Sequence, residues 1–106
     1  MPNTYTQLYA QIVFAVKGHQ SLIPRQHKDE LYGYMTAVVH NHGAKMLAIH
    51  CMPDHVHIFI GFGPTLTMAD LVRDVKASSS GSIKEQGWVK RFSWQEGYGA
   101  FTYVQS

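Results

Sequence analysis

A chain of 106 residues, 45% of them hydrophobic, has room for one core and one compact domain, and none for a second. Nine Lys and Arg against seven Asp and Glu leave a formal charge of +2, which permits nucleic-acid binding without arguing for it and excludes a histone-like polycation. The single cysteine, Cys51, excludes an intrachain disulfide and a cysteine-rich zinc site; with no signal-like start and no apolar run near the ~20 residues of a membrane span, the expected location is cytoplasmic, without a membrane partner.

In chain order, Thr6, Leu8, Ala10, Ile12, Phe14 and Val16 alternate with Tyr5, Gln7, Tyr9 and Gln11, the period of a half-buried strand. After a polar break over 17–21, Pro24 suits the first turn of a helix reaching about Asn41, with Leu31, Tyr34, Met35, Val38 and Val39 as its apolar stripe. Strands are predicted over 45–52 and 55–62, joined by a tight turn at Pro53 and Asp54. Gly63 and Pro64 end that hairpin, and Thr67 is the expected N-cap of a second helix turning Met68, Leu71, Val72 and Val75 inward. The run Ser78-Ser79-Ser80-Gly81 is expected to weaken this helix and leave 82–86 as a frayed end. Short strands over 92–94 and 98–104 complete the chain. The order β-α-β-β-α-β predicts a ferredoxin-like α+β domain, an antiparallel sheet with both helices on one face.

Chemistry enters at "MPDHVHIFIG", residues 52–61. Alternation along a strand projects His55 and His57 to the same side, about 6.5 to 7 Å apart, while Val56, Ile58 and Ile60 point to the other. Two neutral imidazoles converging in this way can hold a divalent ion, although a metal needs at least a third ligand and a bare His-x-His also occurs on solvated sheet faces. Asp54, if part of the strand, should face away from the histidines.

"MPDHVHIFI", followed by "LVRDVKASSSGSIKE" and "FSWQEGYGAFTY", resembles the single-tyrosine HUH transposases of small bacterial insertion sequences, including the transposase-like proteins associated with repetitive palindromes. The likeness covers nearly the whole chain, with His55, Val56 and His57 as the HUH triplet. The resemblance implies a DNA transposase that cuts and rejoins single-stranded DNA at hairpins. In this chemistry the histidines and a later polar side chain hold Mg²⁺ or Mn²⁺, and a tyrosine forms a 5′-phosphotyrosine. It also implies a homodimer whose sheets join, for which the apolar run from Tyr98 to Val104 is the expected edge.

In the family the nucleophile lies on a helix after the last strand that carries Tyr-x-x-x-Gln or a near variant. None of Tyr5, Tyr9, Tyr32, Tyr34, Tyr98 or Tyr103 has Gln, Asn or His four residues on. The expectation is therefore a domain truncated before that helix, with the nucleophilic tyrosine beyond Ser106 and residues 1–106 inactive alone. The alternative is a catalytically inactive remnant that binds DNA or dimerises with an intact copy. Candidate DNA contacts are Arg73, Lys76, Lys84, Lys90 and Arg91, with Ser78 to Ser80 between them and Trp88 flanked by the last three. Basic groups would hold phosphates and aromatics would stack on bases. Trp88 and Trp94 read first as packing residues.

Overall fold

The computed structural model describes residues 7–105. Strand β1 (Gln7–Ala15) is followed by helix α1 (Lys28–Asn41), the hairpin β2 (Lys45–Cys51) and β3 (His55–Phe62), helix α2 (Met68–Glu85) and strand β4 (Gly99–Gln105). The four strands form one sheet in the order β2-β3-β1-β4, every neighbouring pair antiparallel. This is the ferredoxin-like α+β arrangement expected from the sequence.

The period-2 pattern of β1 and β3 decides which face is covered. Ala10, Ile12, Phe14 and Val16 face inward together with Val56, Ile58 and Ile60, all within 2% of complete burial. Against them pack Leu31, Met35 and Val39 of α1 and Leu71, Val72, Val75 and Ile83 of α2. The opposite face of the sheet, carrying His55 and His57, has no helix over it among the described residues.

Several expectations need correction in detail. Tyr5 and Thr6 lie outside the described residues. Thr67 occupies the N-cap position of α2 but makes no side-chain capping bond. The serine run does not weaken α2, which continues through Gly81 to Glu85. Ser79 is buried, and its hydroxyl donates to the carbonyl of Val75 at 2.7 Å while accepting from the indole Nε1 of Trp94 at 3.0 Å. A serine with both roles filled inside the protein does not compete with the helix as an exposed one does. Residues 92–94 form no strand; a lone bridge between Val16 and Trp94 stands there. Trp94 packs edge-on against Phe14 and Phe92, and the segment is held by this burial together with the backbone bonds of the bridge, Lys17 N–H to the Ser93 carbonyl at 3.0 Å and Gln95 N–H to the Ala15 carbonyl at 2.7 Å. Gly97 adopts φ +81°, which favours glycine, in the turn that leads to β4.

Candidate metal and DNA-binding site

His55 opens β3, and three backbone bonds fix its approach. Met52 N–H donates to the His55 carbonyl at 2.8 Å, Val16 N–H to the Asp54 carbonyl at 2.8 Å and Ile23 N–H to the Pro53 carbonyl at 2.9 Å. The tight turn is thus clamped from both sides. Asp54 sits in that turn, as expected, and outside the strand, so the alternation of β3 does not govern its side chain: Oδ1 lies 2.7 Å from Nδ1 of His55. That hydrogen bond, with the nearby His55 and His19 rings, holds the Asp54 carboxyl below the usual carboxylate range. An ionised carboxylate only accepts, so Nδ1 of His55 carries a proton, and the tautomer this selects for a neutral ring is the one with Nε2 free to ligate.

The rings of His55 and His57 lie 5.0 Å apart, centroid to centroid. Two imidazoles on one ion at ~2.1 Å would place their centroids about 5 Å apart. His57 is flanked in register by Val13 on β1 and His50 on β2. Burial first, then the neighbouring His55 and His50, push its pKa below 6.5, which keeps the ring in the neutral, ligating form. The pair, with the carboxylate behind His55, fits the donor set of a divalent ion with an outer-shell orienting group. Among the described residues no third His, Cys, Asp or Glu joins them, which leaves further positions for water, DNA or another donor.

The sheet face around the pair is aromatic. Tyr9 and Phe59 stack at 5.8 Å and 9°, and Tyr103 meets Phe59 at 6.5 Å.

The five cations singled out in the sequence separate into two groups. Arg73 is held by Asp70 and Asp74, each at 3.1 Å, and Lys76 donates to the carbonyls of Gln95 (2.8 Å) and Gly97 (2.6 Å). Lys84, Lys90 and Arg91 instead line one open groove of about 590 Å³ together with Lys17 and Gln20, and none of these cations has an ion-pair partner among the described residues. Lys17 escaped the sequence reading because it lies in a polar break; only the fold brings it across to residues 84–91. The groove begins where β1 ends, at the end of the sheet where Ala15 pairs with His55. Trp88 stacks on His27 at 4.2 Å and 5°, and Trp94 is buried.

Residues 4–106 match the family described as IS200-like transposases. The chain belongs to this family. It is 24% identical over 74 residues to the ISDra2 transposase TnpA of Deinococcus radiodurans, a stretch covering 70% of this chain and 53% of the relative. The chain thus spans about half the length of that curated relative. Among solved structures, the fold is similar to a Deinococcus radiodurans protein assigned as a transposase (TM-score 0.77, 21% identity, 95% of this chain and 82% of that one). It is also similar to a REP-associated tyrosine transposase bound to a REP hairpin (TM-score 0.71, 11% identity, 100% and 62%). For this IS200-like transposase chain, no described helix is long and apolar enough to cross a membrane.

Proposed function

We propose that this IS200-like transposase chain recognises hairpin-bearing single-stranded DNA and holds a divalent ion, Mg²⁺ or Mn²⁺, through His55 and His57. The observation that carries this reading is the pair itself: two imidazoles at metal-sharing separation on a sheet face that no described helix covers, the first oriented by Asp54, with a groove of cations that lack ion-pair partners among the described residues at the same end of the sheet. An ion bound there would polarise a phosphoryl oxygen and offset charge developing in strand cleavage. Asp54 keeps His55 in the ligating tautomer, while Lys17, Lys84, Lys90 and Arg91 hold phosphates of the DNA and so fix its register. The fold likeness to a transposase bound to a REP hairpin supports DNA of that kind as the partner.

Cleavage through a 5′-phosphotyrosine requires a nucleophile near this pair. Tyr9 and Tyr103 pair four residues along β1 from the Val13–His57 pair, about 13 Å away at strand rise, whereas Tyr98 precedes Gly99, the partner of Val13, and is the described tyrosine nearest the pair in register. The Tyr32 hydroxyl accepts from Cys51 N–H at 3.1 Å, and that of Tyr34 accepts from Gln86 at 3.4 Å. The distance of Tyr9 and Tyr103 from the pair and the internal bonds of Tyr32 and Tyr34 favour a second reading, a module that binds DNA and dimerises without cutting. For dimerisation the exposed edge is β4, where Phe101 and Val104 are 60% and 69% exposed.

The test is a labelled hairpin oligonucleotide with single-stranded flanks, followed by anisotropy and, with Mn²⁺, by denaturing electrophoresis. Salt-sensitive binding that prefers the hairpin strand to blunt duplex, without a covalent band, is expected. Equal affinity for both, or no binding, contradicts DNA recognition. A covalent band abolished by Tyr98→Phe or Tyr103→Phe would place the nucleophile within the chain.

A further inference from the structure

Beyond the histidine pair, β2 borders a second cavity. It has a volume of about 310 Å³ and is lined by Ile23, Arg25, Lys28, His50, Cys51, Met52 and Pro53. Its size falls at the lower end of small-ligand sites, and its walls are of two kinds. Ile23, Met52 and Pro53 are apolar, and burial pushes the Cys51 thiol up to about 12, so that wall is a neutral thiol. Arg25 and Lys28 stand at the rim with no ion-pair partner among the described residues. The floor is rigid, because Ile23 N–H is bonded to Pro53 and Cys51 N–H to Tyr32 of α1.

His50 connects this cavity to the proposed metal site. It lines the 310 Å³ cavity and also a smaller one of about 150 Å³ that contains His57, Gln11 and Phe59. His50 and His57 are direct cross-strand partners, and such partners hold their Cβ atoms about 4.5 to 5.5 Å apart. The two hollows therefore share His50 as a common wall at the β2 edge of the sheet.

We infer that the cavity beside His50 takes one unpaired nucleobase of the DNA strand, whose phosphate is held by Arg25 and Lys28, next to the phosphate that meets His55 and His57. The inference rests on the proposed DNA-binding function and adds to it a subsite for a single flanking nucleotide. An apolar slot rimmed by cations suits this ligand, since a base offers a flat π-face and its phosphate a single charge. Duplex DNA cannot enter, because a paired base is not available to the slot.

The test uses the same hairpin oligonucleotide, with each single-stranded position replaced in turn by an abasic site. Wild-type protein is expected to lose about tenfold in affinity at one position and little elsewhere. That single-position loss should vanish in Arg25→Glu/Lys28→Glu and in Met52→Trp, which fills the slot from an exposed side chain. The other positions should keep their wild-type profile in both variants, which also reports that they fold. A flat abasic profile in wild type, or a dip unchanged in both variants, overturns the subsite while leaving DNA binding intact. No binding of wild type to any oligonucleotide overturns the DNA-binding function and the subsite with it.

Discussion

Nδ1 of His55 donates to Oδ1 of Asp54 at 2.7 Å, a bond between chain neighbours that exists because Asp54 belongs to the turn and His55 to the strand. It fixes which nitrogen of His55 is free for a metal. Replacing a carboxylate behind a ligating histidine commonly costs 10- to 100-fold in metal affinity. Asp54→Asn is expected to weaken Mn²⁺ binding by about tenfold without lowering the melting temperature, as read by titration calorimetry.

The depressed pKa of His57 sets the sign of a pH dependence. The unfolded chain takes up this proton near 6.5, whereas the folded chain resists it until lower pH. Stability is therefore full above 6.5 and declines as pH falls through that value, levelling off below the folded pKa. The lowered carboxyls of Asp54 and Asp74 act in a separate, more acidic window, below their ordinary 3.8. Urea melts between pH 8 and 4.5 should show the decline, and His57→Gln should flatten it.

Much of this was legible in sequence. Alternation in β1 and β3 located the core face and placed His55 with His57, because a period of two permits no other arrangement. What escaped were features made by contacts distant in sequence. Lys76 reads as a free cation on a helix, yet it is tied to Gln95 and Gly97, about twenty residues on. Ser79 reads as a helix breaker, yet Trp94 satisfies it. Asp54 was placed correctly in the turn, but its bond to the ring of the next residue is a matter of side-chain rotamer that alternation does not encode.

Ser79 and Trp94 supply a stability prediction. Ser79→Ala leaves the buried Nε1 of Trp94 without its acceptor at 3.0 Å, a loss of about 1–3 kcal/mol. Trp94→Phe removes both the donor and part of the contact with Phe14 and Phe92, and should cost a similar amount. Chemical denaturation of the two single variants and the double variant is the check, and the double should cost less than the sum of the singles.

The groove cations separate from the paired ones by their salt dependence. Lys90→Ala and Arg91→Ala should each weaken hairpin binding for all sequences and reduce the slope of log K against log salt by about 1. Arg73→Ala, already neutralised by Asp70 and Asp74, should change the slope by much less. Anisotropy titrations across a salt series measure this.

The pairing of His55 with His57 as the divalent-ion site is tested most directly by titrating the chain with Mn²⁺ and following paramagnetic broadening of its seven histidine rings. The rings of His55 and His57 should broaden first, at metal concentrations that leave His27 and His42 sharp. Equal broadening of all seven, or selective broadening that survives in His57→Ala, would contradict the assignment.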